Sequence, residues 1–251
     1  ITPEQKAHFG GFGGKAGGGG GGQVTTAITD AHRETWKAVF SQRIPGGPTE
    51  RGFDEYFGHI GGSHDYFASK DGGKGGTYAL EGWDGKPFEF ENDYLTDING
   101  RAACEFIRKG DAAKPWFLYV AFNAPHGPLQ ASEKYLKRFA HIADEQRRTY
   151  AAMVSALDDA VGAILAELKA QGAEENTLIF FLSDNGGPLD RNASLNTPLS
   201  GEKGFMLEGG IRTPYLVQWK SKLPTGKDSE KPVSSLDISA TALAAAHGSS
   251  D

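Results

Sequence analysis

Two apolar runs, each too short for an ordinary helix, flank one long amphipathic segment, and this arrangement most narrows the fold. Trp116-Phe117-Leu118-Tyr119-Val120-Ala121-Phe122 lies between Pro115 and Pro125, and Thr177 to Leu182 forms a second such run. A continuous apolar run of this length reads as a strand buried on both faces, as in a parallel sheet. Between them Tyr150, Met153, Val154, Leu157, Val161, Ile164, Leu165 and Leu168 recur at steps of three and four. That period predicts a helix over 145–171, with Gly172 placed to end it. A third strand is predicted over 215–219 and a last helix over 237–246. Strands alternating with helices predict a doubly wound α/β sandwich. Ligands bind such sheets beyond the carboxyl ends of the strands, so the residues that follow each strand carry the interest.

The chain has 251 residues, enough for one large α/β domain. Its net charge of −6 argues against nucleic acid as a partner, because a phosphate-binding surface needs an excess of Lys and Arg. No stretch approaches the roughly 20 apolar residues of a membrane span, and no signal peptide is visible at the start. The single cysteine, Cys104, cannot form an internal disulfide. Its helix-like surroundings, 101–107, predict a small buried residue rather than a nucleophile. Residues 1–24 form a Gly-rich segment, nearly all glycine from Gly10 to Gly22, which reads as a linker or as a stand-in for residues of unknown identity. Foldable sequence runs from Thr25, with a short helix predicted over 25–34, a strand over 36–40, a turn at 45–48 and a long surface loop over 61–86.

Two predicted strands run into polar clusters. The first continues into Asn123-Ala124-Pro125-His126-Gly127-Pro128, where prolines on both sides restrain the backbone around His126. The second continues into Ser183-Asp184-Asn185-Gly186-Gly187. A carboxylate beside a carboxamide offers hard oxygen ligands suited to Ca²⁺ or Mg²⁺, and the pair is equally a common turn or helix cap. The two glycines allow a sharp turn and close approach to a ligand. Lys203, in Gly201-Glu202-Lys203-Gly204, is a point charge in a glycine-rich loop that could meet an anion. Glu208 and Arg212 are four apart and could pair with each other.

The order of these pieces carries more than any one of them. Pro125-His126-Gly127-Pro128, Ser183-Asp184-Asn185-Gly186-Gly187 and Gly201-Glu202-Lys203 through Glu208-Gly209-Gly210-Ile211-Arg212-Thr213-Pro214 resemble the sulfatases of the alkaline phosphatase superfamily. So do Arg51-Gly52-Phe53-Asp54-Glu55-Tyr56-Phe57-Gly58, the helix with Tyr150, Met153 and Asp158-Asp159, and Ser235-Leu236-Asp237-Ile238-Ser239-Ala240-Thr241. The resemblance runs from about Thr25 to Gly248. It implies an alkaline-phosphatase-like α/β sandwich with a mostly parallel central sheet flanked by helices. It implies hydrolysis of a sulfated alcohol, aryl or carbohydrate, by a secreted or periplasmic enzyme. Asp184 and Asn185 would be ligands of one Ca²⁺, His126 would bind the sulfate and help the leaving oxygen depart, Lys203 would hold a sulfate oxygen, and His64 would line the substrate pocket. A cation, a lysine and a histidine are suitable stabilisers of the charge that spreads over sulfate oxygens.

The resemblance weakens toward the start. Family members open with a strand ending in paired aspartates and a C-x-P-S-R type motif whose Cys or Ser becomes formylglycine. Neither is present, and Cys104, followed by Glu105-Phe106-Ile107, is not a substitute. The family's G-K-W-H-L-G motif falls in register with Ser41-Gln42-Arg43-Ile44-Pro45, without its Lys and His. Residues 25–251 therefore read as a partial sulfatase catalytic domain, lacking the nucleophile segment and a smaller C-terminal subdomain. Two other readings stay open: a phosphoester or phosphonate hydrolase of the same superfamily, and a non-catalytic member that binds sulfated ligands.

Overall fold

The computed structural model describes residues 47–68, 80–111 and 113–247, all within the compact unit Phe40–Asp251. The expected helix over 25–34, the strand over 36–40 and the Gly-rich segment lie outside the described residues, as do parts of the turn at 45–48 and of the loop at 61–86. In chain order the elements are α1 (Leu95–Lys109), α2 (Glu133–Leu136), α3 (Glu145–Ala170), β1 (Ile179–Leu182), α4 (Leu189–Asn192), α5 (Glu208–Ile211), β2 (Tyr215–Gln218) and α6 (Leu236–His247).

The helix predicted over 145–171 is α3. Its first turn is capped by Asp144, whose carboxylate accepts from the Arg147 amide at 2.6 Å. At its end Gly172 takes a left-handed φ of 68° and its amide donates to the Lys169 carbonyl, a conformation that favours glycine. The deepest face of α3 holds only two of the large apolar residues that mark its period, Met153 and Leu168. Ala152, Met153, Ala156, Ala160 and Leu168 are buried, whereas Val154 is exposed and Leu157, Val161, Ile164 and Leu165 are half-buried. The reason is α1, which packs so closely that a Cβ placed at Gly100 would stand 2.9 Å from the Ala160 Cβ. Small residues let two helix backbones approach, and the larger ones flank the seam. Arg108 on α1 bonds Glu167 on α3 at 2.6 Å across the same seam.

The core beside this helix pair is built from tyrosines. Tyr66, Tyr94 and Tyr135 are buried together with Leu80, Leu95, Ala124 and Met153. The rings of Tyr66 and Tyr94 stack with centroids 5.5 Å apart. Each hydroxyl finds an acceptor: Tyr66 donates to the His126 carbonyl, Tyr94 to the Gln130 carbonyl and Tyr135 to Asp97. A buried phenol needs such a partner, so the same side chains that fill the core tie down the loop that follows Phe122.

The parallel sheet expected from the three apolar runs is not what the described residues form. β1 and β2 pair antiparallel, with Ile179 opposite Gln218 and Leu182 opposite Tyr215. Nor are these strands buried on both faces, since Phe181, Leu216 and Val217 are exposed. Residues 116–122 form no ladder with another described residue. Their burial alternates, with Phe117 and Tyr119 exposed at 60% and 71%. Alternation is the signature of an extended chain covered on one side, which an unbroken apolar run conceals. Cys104 is buried in α1 as expected, and burial pushes its thiol pKa up, away from reactivity. No helix among the described residues is long and apolar enough to cross a membrane.

Candidate functional site

β1 delivers its chain directly into Ser183-Asp184-Asn185-Gly186-Gly187. There the glycines act through close approach rather than through a turn, for neither has a positive φ. A Cβ on Gly186 would lie 1.8 Å from the Gly209 carbonyl oxygen, and one on Gly187 would lie 2.1 Å from the Ser194 hydroxyl. Gly209 and Gly210 are equally hemmed in, by the carbonyls of Gly201 and Phe205 at 2.2 Å each. Three backbone segments therefore pass at distances no side chain permits. Hydrogen bonds lock them: the Gly186 amide donates to the Gly210 carbonyl at 2.9 Å, and the Gly209 amide to the Ser200 carbonyl at 2.7 Å. Asn196 fastens the third side, its amide nitrogen donating to the carbonyls of Gly187 and Gly201 while its oxygen accepts from the Gly187 amide. Glu202 adds a bond from the Leu189 amide.

This glycine cradle brings together the backbone segments that carry Asp184, Asn185 and Lys203. One Asp184 oxygen accepts from the Asn185 amide at 2.9 Å and the side chain is exposed. The Asn185 side-chain nitrogen donates to the Gly186 carbonyl at 3.0 Å, which turns the amide oxygen away from that bond. Two hard oxygens on consecutive residues thus stay available for a cation, and their chemistry fits Ca²⁺ or Mg²⁺. They are a partial set, because calcium takes about six to eight oxygens and no group of three or more His, Cys, Asp or Glu converges among the described residues. Lys203 is exposed, stands between Gly201 and Gly204, both at positive φ, and makes no hydrogen bond or ion pair with a described residue. Glu208 and Arg212 pair with each other at 3.3 Å, as their spacing allowed.

His126 belongs to a second neighbourhood. Its ring is exposed, and Nδ1–H donates to the Gly127 carbonyl at 2.8 Å, with no hydrogen bond from Nε2 to a described residue. Its amide donates to the Asn123 carbonyl and its own carbonyl accepts from the Tyr66 hydroxyl. Burial, reinforced by Tyr94, raises the Tyr66 pKa, so this hydroxyl keeps its proton. His64, two residues before that tyrosine, is fully buried, its Nδ1–H donating to the Asp65 carbonyl at 2.6 Å and its ring centroid 4.7 Å from that of His59. Burial, with the neighbouring His64, pulls the His59 pKa down to about 4. Among the described residues no hydrogen bond joins the His126 neighbourhood to the Lys203 neighbourhood. A groove of about 600 Å³ is lined by Leu129, by Arg191 and by Gln146 and Thr149 of α3.

Sequence reasoning missed the fasteners. Asn196, Glu202, Gln130 and Asp65 act on residues distant in the chain, and only the Gly-Gly pairs at 186–187 and 209–210 hinted that backbones must meet.

Known proteins supply the frame for this geometry. The sulfatase family model matches residues 23–249. The chain is 39% identical over 173 residues to arylsulfatase J of Mus musculus, covering 68% of this chain and 29% of that protein. It is 34% identical over 206 residues to the uncharacterized sulfatase YdeN of Escherichia coli (strain K12), covering 79% of this chain and 34% of the relative. The crystal structure of Ps i-CgsB in complex with k-i-k-neocarrahexaose superposes with a TM-score of 0.74 at 38% identity, over 83% of this chain and 49% of that one. The chain thus spans about a third of the length of these curated relatives and about half of the solved one. The solved relative carries the alkaline-phosphatase-like α/β fold over to this chain in outline. With the match running through both strand-end clusters and the glycine cradle, the chain belongs to the sulfatase family.

Proposed function

We infer that the intact protein hydrolyses sulfate esters, and that Asp184, Asn185, Lys203 and His126 are this chain's contribution to the site. The observation that supports the reading is the glycine cradle, which ties the loop carrying a carboxylate and a carboxamide at the end of β1 to the loop carrying a lysine that no described residue pairs. Cation-binding oxygens next to a free ammonium suit an oxyanion that must touch both. Lys203 holds one sulfate oxygen as a point charge. His126, with Nδ1–H fixed by Gly127, presents Nε2 to the ester oxygen and, in the doubly protonated imidazolium form, gives up its Nε2 proton to that oxygen on departure. A bound Ca²⁺ on Asp184 and Asn185 would offset negative charge on the sulfate. In the complete fold these groups sit at one edge of a mostly parallel central sheet flanked by helices, and His126 and Lys203 point into one pocket. His64, on the segment whose Tyr66 holds the His126 carbonyl, lines that pocket.

The substrate class favoured is a sulfated carbohydrate, by likeness to Ps i-CgsB, which was crystallised with k-i-k-neocarrahexaose. The place of action that goes with such a substrate is secreted or periplasmic. The test is release of inorganic sulfate and of phosphate by the intact protein from matched aryl esters, with and without a calcium chelator. Sulfate release that the chelator abolishes is expected. Phosphate release without sulfate release would move the protein to a phosphohydrolase, and release of neither with retained binding of a sulfated oligosaccharide would make it a binding protein.

A further inference from the structure

The loop that carries His126 is held by a buried carboxylate on a distant segment. Asp65 is 7% exposed, and its Oδ1 accepts from the amides of Phe67 and Ala68 at 2.8 and 3.0 Å. Its Oδ2 accepts from the Gln130 side-chain nitrogen at 2.9 Å. The Gln130 side-chain oxygen then accepts from the Tyr66 amide at 2.8 Å, closing a ring between the two segments. Tyr66, fully buried, completes the link by donating its hydroxyl to the His126 carbonyl at 2.9 Å, and Tyr94 donates to the Gln130 carbonyl at 2.8 Å. A buried carboxylate is strongly disfavoured without partners, and here three N–H groups satisfy it. Every bond in the ring has a fixed polarity, because the Gln130 amide must present nitrogen to Asp65 and oxygen to Tyr66.

We propose that Asp65, acting through Gln130 and Tyr66, is a positioning residue that sets His126 for hydrolysis of the sulfate ester. The proposal rests on the sulfatase reading for the role of His126 and on the ring of bonds alone for the anchoring. Asp65 touches no substrate. Its work is to hold a histidine whose exposed side chain makes one hydrogen bond to a described residue.

The polarity of the ring supplies the test. In Asp65→Asn, any orientation of the two amides leaves at least one N–H facing another N–H. Adding Gln130→Glu repairs this: Asn at 65 donates to one Glu oxygen, the other accepts from the Tyr66 amide, and the net charge is unchanged. In the intact protein with an aryl sulfate, D65N should lower kcat by about tenfold to a hundredfold with KM changed by less than about threefold, the scale of a misplacement of about 1 Å. D65N/Q130E should recover most of that loss. A second readout needs no turnover: the Cε1 resonance of the His126 ring, assigned with H126A, should shift in D65N and return in D65N/Q130E. An unchanged kcat in D65N, or a double variant no better than D65N, would overturn the proposal. If the wild-type protein releases no sulfate, the sulfatase reading fails by itself and the resonance decides the anchoring, an unmoved signal refuting it. Should D65N not fold, Tyr66→Phe, which deletes only the hydroxyl that reaches His126, carries both readouts.

Discussion

Lys203 is flanked by Gly201 and Gly204 at φ of 92° and 88°, conformations that strain any other residue, and no described group pairs its ammonium. An unpaired lysine held by a shaped loop is available for an anion. Lys203→Ala in the intact protein should slow sulfate release by about tenfold to a thousandfold, the range for losing one charge-stabilising donor, while the melting temperature stays within about two degrees, since exposed side chains contribute little. A variant with wild-type kcat/KM would remove Lys203 from the site. His59 offers a second test at this scale. Its pKa in the fold is near 4, lowered by burial and then by His64, against 6.5 when free. Between those values the unfolded chain binds the extra proton, so stability rises with pH. The contribution is complete above about pH 6.5 and is lost as pH falls toward 4, at most on the order of 3 kcal/mol. Melting curves from pH 7.5 to 4.5 should therefore be less steep in pH for His59→Gln than for wild type, and identical slopes would refute this. The residue types of the site were legible in the sequence because Asp184, Asn185 and Lys203 stand beside apolar runs or glycines. The Asp65–Gln130 bond was not, because it joins residues 65 apart and neither carries a local signature.

Among the elements, α3 was legible because its apolar period persists over seven turns, long enough to outweigh any single residue. Its buried face was legible only in part, at Met153 and Leu168, because hydrophobicity marks the large residues, whereas a close helix contact selects small ones. That contact yields a prediction in which two effects oppose. Gly100→Ala gains about 1 kcal/mol of helix propensity, but its Cβ would stand 2.9 Å from the Ala160 Cβ. Overpacking of this kind costs about 1–3 kcal/mol, and a Cβ can move only with its backbone, so net destabilisation is expected. Ala160→Gly in the same chain removes the obstructing methyl, and the double variant should unfold at higher denaturant than Gly100→Ala alone. A stabilised Gly100→Ala would mean that the two helices separate readily. The apolar run at 116–122 was overread for a related reason: composition shows no alternation there, while exposure does. β1 and β2 were placed correctly within two residues, but their antiparallel pairing depends on how the chain returns through the 200–214 loops, which local pattern does not encode.

At the scale of the molecule, the proposed cation on the cradle would couple binding to folding. The segments at 183–187, 200–205 and 208–211 are held to one another mostly by backbone bonds at glycines, and few apolar side chains reinforce them: Phe205, Met206, Leu207 and Ile211 are all exposed. A cation on Asp184 and Asn185 would bind only when this arrangement exists, and a ligand that binds only the folded state raises its stability by RT ln(1 + [L]/Kd). At a calcium concentration about a hundredfold above Kd the gain is about 2.7 kcal/mol, which for a domain of this size moves the melting temperature by about five degrees or more. Titrating CaCl₂ into the chelator-treated intact protein should raise the melting temperature along a saturating curve. MgCl₂ should do less at equal concentration, because its smaller ion demands near-octahedral geometry and keeps several waters. Asp184→Ala should abolish the saturating rise, because it removes the only carboxylate this pair contributes. It should leave the calcium-free melting temperature nearly unchanged, since the Asp184 side chain is exposed and its one hydrogen bond is to the neighbouring Asn185 amide. The same calcium-dependent rise in wild type and Asp184→Ala would place the cation elsewhere and detach the Ser183-Asp184-Asn185-Gly186-Gly187 loop from metal binding.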